Sequence, residues 1–300
     1  MVSLTGYYGT LSQFRGVLVV LTAVVVAFVE PIPGALLAPL VVPFVTFLVY
    51  TSISGLVMDD LRTLSPTLVV VAVGAAYLLV PVTAVGIGRL LLAPAELAGV
   101  VVLSAGPTTA GSALAWTRLS DADVVLAAGV TFGTLLVSPL ATPALVGWFL
   151  GTVTTIPVVP LLVELSVVVA GGVALSRLVP EGTLTDRQRN SSSLVVVGAL
   201  VYTGVTTSPL STAGLGGVAR VALVALCVTL LVFLTAVALD PLLDGRGTRV
   251  RALFFSIGLK NLGVAVLVSS AVRYEGATLA VVTYYVVQQL VAGTVVARQR

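Results

Sequence analysis

Long apolar runs separated by short polar punctuation fill this chain of 300 residues. The runs lie near 15–30, 35–58, 66–91, 96–117, 123–149, 155–177, 193–208, 213–239, 251–272 and 276–297. About 20 apolar residues suffice to cross a bilayer, so the pattern predicts an all-α polytopic membrane protein with ten transmembrane helices. Prolines recur within or beside the runs (Pro39, Pro43, Pro81, Pro107, Pro139, Pro143, Pro157, Pro160). Membrane helices tolerate them because neighbouring groups re-satisfy the freed backbone. The stretch "PEGTLTDRQRNSSS", residues 180–193, reads as a cytoplasmic linker loop. The first five-helix repeat takes about residues 1–150, and 1–179 holds it together with the start of the second. Residues 1–300 form one transmembrane domain overall.

Composition agrees with that class. The chain is 58% hydrophobic and 9% charged, with a mean hydropathy of +1.16, whereas soluble domains carry about 25% charged residues. No separate soluble domain is left to account for. A pI near 9.2 would suggest nucleic acid in a soluble protein, but here topology explains the arginines. Eleven of the fifteen basic residues fall on one side of the ten segments: Arg15, Arg62, Arg118, Arg177, Arg187, Arg189, Arg246, Arg249, Arg251, Arg298 and Arg300. Arg89 and Arg273 fall on the other side, and Arg220 and Lys260 inside segments. The positive-inside rule then puts both termini in the cytoplasm of a multi-pass protein of the cell membrane. No signal peptide is expected, since the first basic residue is Arg15 and no A-x-A site follows the first apolar run. A single cysteine, Cys227, excludes a disulfide framework. With no histidine, zinc sites and histidine-based catalysis are not expected, nor is any cofactor.

Two segments are interrupted. The fourth holds "SAGPTTAGSALAW" and the ninth "SIGLKNLGVAV". Each places a Gly-x4-Gly element at mid-span, Gly106 to Gly111 and Gly258 to Gly263, half a chain apart. Each is the fourth segment of a five-segment half, and an odd-numbered half inserts upside down when duplicated. This is the pattern of an inverted-repeat transporter whose discontinuous helices meet at the binding site. Helix ends there leave N–H and C=O groups without partners inside the helix. Together with Thr108, Thr109, Ser112, Ser256 and Asn261 these groups are candidates to hold a solute. The bland alternative is that the glycines only let helices pack closely.

These segments resemble the bile acid:sodium symporter family, which also includes arsenite-efflux carriers. "VPVTAVGIGRLLLAPAELAGVVVLSAGPTTAGSALAW", residues 80–116, is similar to the family's third and fourth helices with their P-G-G-T-x-S-N crossing. "FFSIGLKNLGVAVLV", residues 254–268, is similar to its ninth helix with E-x-G-x-Q-N-x-G. The resemblance implies ten helices divided into a panel and a core domain. Helices four and nine would cross in the core, and an organic anion would bind between core and panel. Only Ser112 and Asn261 match the family's polar ligands around the crossings. Ala113 replaces the asparagine, and Leu126 and Val130 stand where helix five supplies ligands, with Thr131 one step off. Ser256 and Lys260 replace the glutamate and glutamine of helix nine, and Ala76 the glutamine of helix three. A sodium ion needs several oxygens, ideally including a carboxylate. A fixed cation ~4 Å away would repel it by about 4 kcal/mol at an effective dielectric of 20.

Lys260 is the sole lysine beside fourteen arginines. It stands about nine residues into its segment, roughly 14 Å deep, where insertion of a lysine costs about 2.5–3.5 kcal/mol. Such a residue faces a cavity and has a partner. Lys260 could replace the sodium ion as a built-in cation, hold an anionic substrate, or carry a proton. It could also form a structural ion pair with Glu164, which sits in "VVPLLVELSVVV" on the segment expected to face the substrate cleft. Arg220 reads as a snorkelling residue, or as an attractor of anions in an outer vestibule. Of Gln288 and Gln289 in "TYYVVQQLVAG", one faces protein and the other a cavity; Gln288 is taken for the substrate site. Asp121 and Asp123 read as caps of the fifth segment.

These readings converge on a secondary carrier of a small organic anion, with substrate contacts from Thr108, Thr109, Ser112, Ser256, Lys260, Asn261, Glu164 and Gln288. The lipid bilayer is its other partner, and nothing requires more than a monomer. An arsenite-type efflux carrier is the alternative, although the first interruption lacks the cysteine such carriers use there. A channel or a non-transporting membrane sensor is a further one. An intramembrane enzyme is not expected: an aspartyl protease needs two aspartates inside spans, and both candidates lie in loops.

Overall fold

The computed structural model describes residues 14–54, 61–151, 156–180, 182–207, 214–243, 247–272, 274 and 276–298. Positions 55–58, 155, 208 and 213 of the predicted segments lie outside these residues, as do Arg246, Arg273 and Arg300. The described residues are helical nearly throughout, in the order α1 (Arg15–Val29), α2 (Ile32–Leu37), a short 3-10 turn (Ala38–Leu40), α3 (Val41–Ile53), α4 (Pro66–Leu91), α5 (Pro94–Ser104), α6 (Ala110–Leu119), α7 (Val124–Leu150), α8 (Val158–Leu178), α9 (Asp186–Thr207), α10 (Leu215–Ala238), α11 (Asp240–Leu243), α12 (Thr248–Gly258), α13 (Leu262–Val272) and α14 (Ala277–Ala297). Six stretches of 21 to 27 residues, with α4, α7, α8, α10, α14 and the run Pro33–Ile53, are long and apolar enough to cross a membrane. Large apolar side chains such as Val29, Val70, Leu90 and Leu215 point outward, 69–90% exposed. Water does not solvate a belt of that kind, and lipid does. The chain is a multi-pass membrane protein.

Local sequence explains most helix ends. Pro66 and Pro94 open α4 and α5, where a missing N–H costs nothing. Asp123 caps α7 by accepting from the Leu126 N–H at 2.9 Å, as its position predicts. Asp121 is not a cap: it takes a left-handed turn with φ 48°, which aspartate tolerates better than most residues. The linker is shorter than 180–193. Thr185 and Gln188 form a reciprocal capping box, with Gln188 Oε1 accepting from Thr185 N at 2.9 Å and Thr185 Oγ1 from Gln188 N at 3.3 Å. Helix α9 therefore begins at Asp186 and absorbs the linker's second half.

The helices pack as two groups. In one, α3 lies on α8 and α9 on α1. In the other, α5 lies on α14, α12 on α7, and α4 on both α7 and α10. Helices α3 and α9 touch the second group mainly at α13. The tightest approach in the second group is at Gly99, where a Cβ would lie 2.2 Å from the Ala277 carbonyl oxygen and 2.7 Å from Ala280 Cβ. Small residues let membrane helices close up in this way.

Gly99→Ala is expected to force α5 from α14 and cost about 1–3 kcal/mol, read as a lower thermal midpoint of the detergent-purified protein. Gly74→Ala in α4, where a Cβ meets nothing within 4 Å, should leave the midpoint unchanged or raise it. Equal midpoints for Gly99→Ala and the parent protein would contradict this packing.

Candidate functional site

The two interruptions lie against each other. Between α5 and α6, and between α12 and α13, the backbone is extended, and the two stretches pair antiparallel through Thr108 and Lys260. Thr109 N–H donates to the Leu259 carbonyl at 3.0 Å, and Asn261 N–H to the Pro107 carbonyl at 2.8 Å. Each broken helix thus satisfies backbone groups of the other, where no water is at hand to do so. Side chains complete the crossing. Thr108 Oγ1 donates to the Ser256 carbonyl, Thr134 Oγ1 accepts from Thr108 N–H at 3.1 Å, and Thr142 Oγ1 donates to the Ala105 carbonyl at 2.9 Å.

Lys260 is fully buried in this crossing. Its Nζ donates to the carbonyls of Ala76 at 2.6 Å and Gly106 at 3.2 Å, and lies 5.5 Å from the centre of the Tyr77 ring. Helices α5 and α12 both end here, and helix C-termini carry partial negative charge, so the amine sits where the fold collects it. Pro81 of α4 has no N–H to offer the Tyr77 carbonyl, next to the Ala76 carbonyl that takes the amine. Gln288 brackets the lysine backbone: Oε1 accepts from Lys260 N–H at 3.1 Å, and Nε2 donates to its carbonyl at 3.0 Å. Lys260 forms no ion pair with Glu164, which is half-buried on α8. Backbone carbonyls hold the amine instead.

Beside the crossing lies a cavity of about 370 Å³. Thr109, Ser112, Asn261 and Gln289 line it, as do Arg15 and Arg189. Gln289 is fixed in place, accepting from Trp116 Nε1 at 2.8 Å and donating to Ser112 Oγ at 2.9 Å. The eight expected contact residues therefore separate. Thr109, Ser112 and Asn261 reach the cavity. Thr108, Ser256, Lys260 and Gln288 are buried in the crossing with at most 1% exposure, and Glu164 is in neither place. The glutamine pair divides as expected, but Gln289 is the cavity residue and Gln288 the buried one.

Two features escape the sequence reading. Arg220 on α10 does not snorkel alone: it forms a bidentate pair with Glu96 on α5, at 2.6 and 3.2 Å. Glu96 also accepts from Ala93 N–H at 3.1 Å. The Thr131 hydroxyl on α7 is buried and has no hydrogen-bond partner among the described residues.

The sequence profile of the Sodium Bile acid symporter family matches residues 35–176. That match includes α4 to α7 and the first interruption, and stops short of the second. Among curated proteins none matches the chain. Within an apolar, all-helical membrane protein, residues 35–176 are thus similar to the sodium bile acid symporter family, whose members are membrane transporters.

Proposed function

We propose that the chain is a secondary carrier of a small organic anion, working by alternating access without sodium. One observation carries this reading: two interrupted helices cross beside a cavity lined by polar side chains from both. Matched packing supports two inverted five-helix repeats, with α3 on α8 answered by α9 on α1, and α5 on α14 answered by α12 on α7. The group containing α1, α3, α8 and α9 serves as panel, and the other group as core. Arg15 and Arg189 both belong to the cytoplasmic side of the arginine distribution, so the cavity is an inward-facing one in the cell membrane. Substrate contacts come from Thr109, Ser112, Asn261 and Gln289. No cysteine lines the cavity, which weighs against an arsenite carrier.

The donor set of the crossing does not suit sodium. It offers no carboxylate, and the Thr134 hydroxyl already accepts from Thr108 N–H and donates to the Thr131 carbonyl. Lys260 takes the Ala76 and Gly106 carbonyls that an ion would need. A built-in amine thus replaces the ion. A second reading has one specific observation in its favour. Two acceptors are as many as an uncharged amine can serve, so Lys260 could release its proton during the cycle and couple transport to it.

Uptake of an organic anion into proteoliposomes should saturate, show counterflow, and proceed at one rate in sodium and in choline at equal ionic strength. A rate that climbs saturably with sodium would rule out the built-in amine, and lack of counterflow would favour a sensor. Lys260→Met should abolish transport while the protein still inserts and purifies. The apolar side chain lowers the insertion cost, but both carbonyls lose their donor. Full transport by this variant would show the amine to be dispensable. Collapse of a proton gradient with a protonophore should slow uptake only if Lys260 cycles a proton. Gln288→Leu strands a buried N–H and C=O at about 1–3 kcal/mol each and should lower the thermal midpoint. Gln289→Leu should leave the midpoint nearer the parent value and weaken ligand binding; the reverse order would misplace both residues.

A further inference from the structure

We propose that Gly111 and Gly263 are two alternative seats for one apolar plug, the leucine pair Leu48 and Leu200. The plug rests on Gly263 in the inward-facing arrangement described above, and on Gly111 when the protein faces outward. This deepens the alternating-access reading and rests on it.

The two halves of the chain correspond at a single interval. It separates Gly111 from Gly263, each the second residue of its helix, α6 and α13. The same interval separates Leu48 on α3 from Leu200 on α9, Thr51 from Thr203, and Ser52 from Gly204. Yet corresponding residues have unlike surroundings. At Gly263 a Cβ would lie 2.8 Å from Leu48 Cδ1 and 3.5 Å from Leu200 Cδ1. At Gly111 a Cβ would meet no described atom within 4 Å, and the residue lines the cavity. The contrast continues one turn along α9. A Cβ at Gly204 would lie 2.8 Å from Val266 Cγ1 and 3.0 Å from Thr278 Cγ2, whereas Ser52 lines the cavity. Thr203 is buried at 1% exposure, whereas Thr51 lines the cavity.

This arrangement alone gives Gly111 no reason to be glycine. Its φ is not in the left-handed region that glycine serves, no described neighbour presses on it, and glycine weakens a helix relative to alanine. An inverted repeat supplies the reason. In such a carrier, giving each half the surroundings of the other converts one state into the opposite one. That exchange keeps Leu48 and Leu200 together and moves them from Gly263 to Gly111. Only a residue without a side chain admits leucine methyls there as closely as Gly263 does now. Apolar contact suits a plug that has to let go, because its release strands no hydrogen-bond donor.

The test uses the full chain in detergent, with Cys227→Ser to remove the native thiol. Single reporters, Thr51→Cys or Thr203→Cys, are labelled with a water-soluble maleimide. Both faces are open to the reagent in detergent, so the rates report which seam is closed. Thr51→Cys should react fast, and Thr203→Cys slowly, at a rate set by the minor outward-facing population. Gly263→Val unseats the leucines and should raise the Thr203→Cys rate by about tenfold or more, as overpacking a close contact does, while slowing Thr51→Cys. Gly111→Val fills the empty seat. It should leave Thr51→Cys reactive and slow Thr203→Cys by about tenfold or more. Gly263→Ala should shift the rates in the same direction by less, and it replaces Gly263→Val if that variant does not fold. Thermal midpoints establish which variants are folded. A Thr203→Cys rate that ignores both Gly263 and Gly111 substitutions would show that the protein alternates without these seats. A response to Gly263 alone would overturn the second seat. If Thr203→Cys stays unreactive in every folded variant and reacts only in denaturant, the outward-facing state is absent and the carrier reading fails together with the plug.

Discussion

Backbone groups exposed by breaking a helix inside a membrane have to be paired within the protein, and this fold is arranged around meeting that demand twice at one point. Each interruption supplies what the other lacks: Thr109 to Leu259 and Asn261 to Pro107. Among what the pairing leaves over are carbonyls, because α5 and α12 both end there. Lys260 answers that excess with N–H donors, and Gln288 then closes the lysine's own backbone. Remove any one of these parts and another is left unpaired in a medium without water, at a cost of a few kcal/mol for each group.

This accounting separates holding from binding. Groups facing inward at the crossing are saturated by one another and have nothing left for a solute. Those on the cavity side, Ser112, Asn261 and Gln289, have partners that fix their direction and still present polar atoms to open space. The separation follows from geometry: adjacent residues of a helix lie 100° apart, so Gln288 and Gln289 belong to different environments.

The sequence reveals the framework for physical reasons. Hydropathy is set by the lipid, so the apolar runs coincide with helices from α1 to α14, and paired glycines mark the two interruptions. The cap at Asp123 follows from local chemistry alone. Other features depend on partners far away in the chain. Glu96 looks like part of an apolar start until α10 brings Arg220 against it. Ala76 carries no side-chain signal for the carbonyl that receives Lys260. Glu164 and Lys260, opposite charges at similar depth, suggest a pair, yet carbonyls at the ends of broken helices compete successfully for the amine. Arg15 and Arg189 announce a side of the membrane and give no sign that they share a cavity.

The distribution of polar contacts also bears on motion. Among the helices packed around the crossing, hydrogen bonds tie distant segments together: Trp116 to Gln289, Thr142 to Ala105, and Arg220 to Glu96. The group of α1, α3, α8 and α9 has its own, Ser193 to Thr51 and Tyr202 to the Glu30 carbonyl. At α13 the two groups meet through apolar side chains, with Leu48 of α3 and Leu200 of α9 close against Gly263. Apolar surfaces slide past each other without stranding a donor, and lipid competes for them on nearly equal terms. Hydrogen bonds in the same medium resist any displacement that breaks them. Among the described residues, the hydrogen bonds named here fall within each group of helices and not across their boundary at α13.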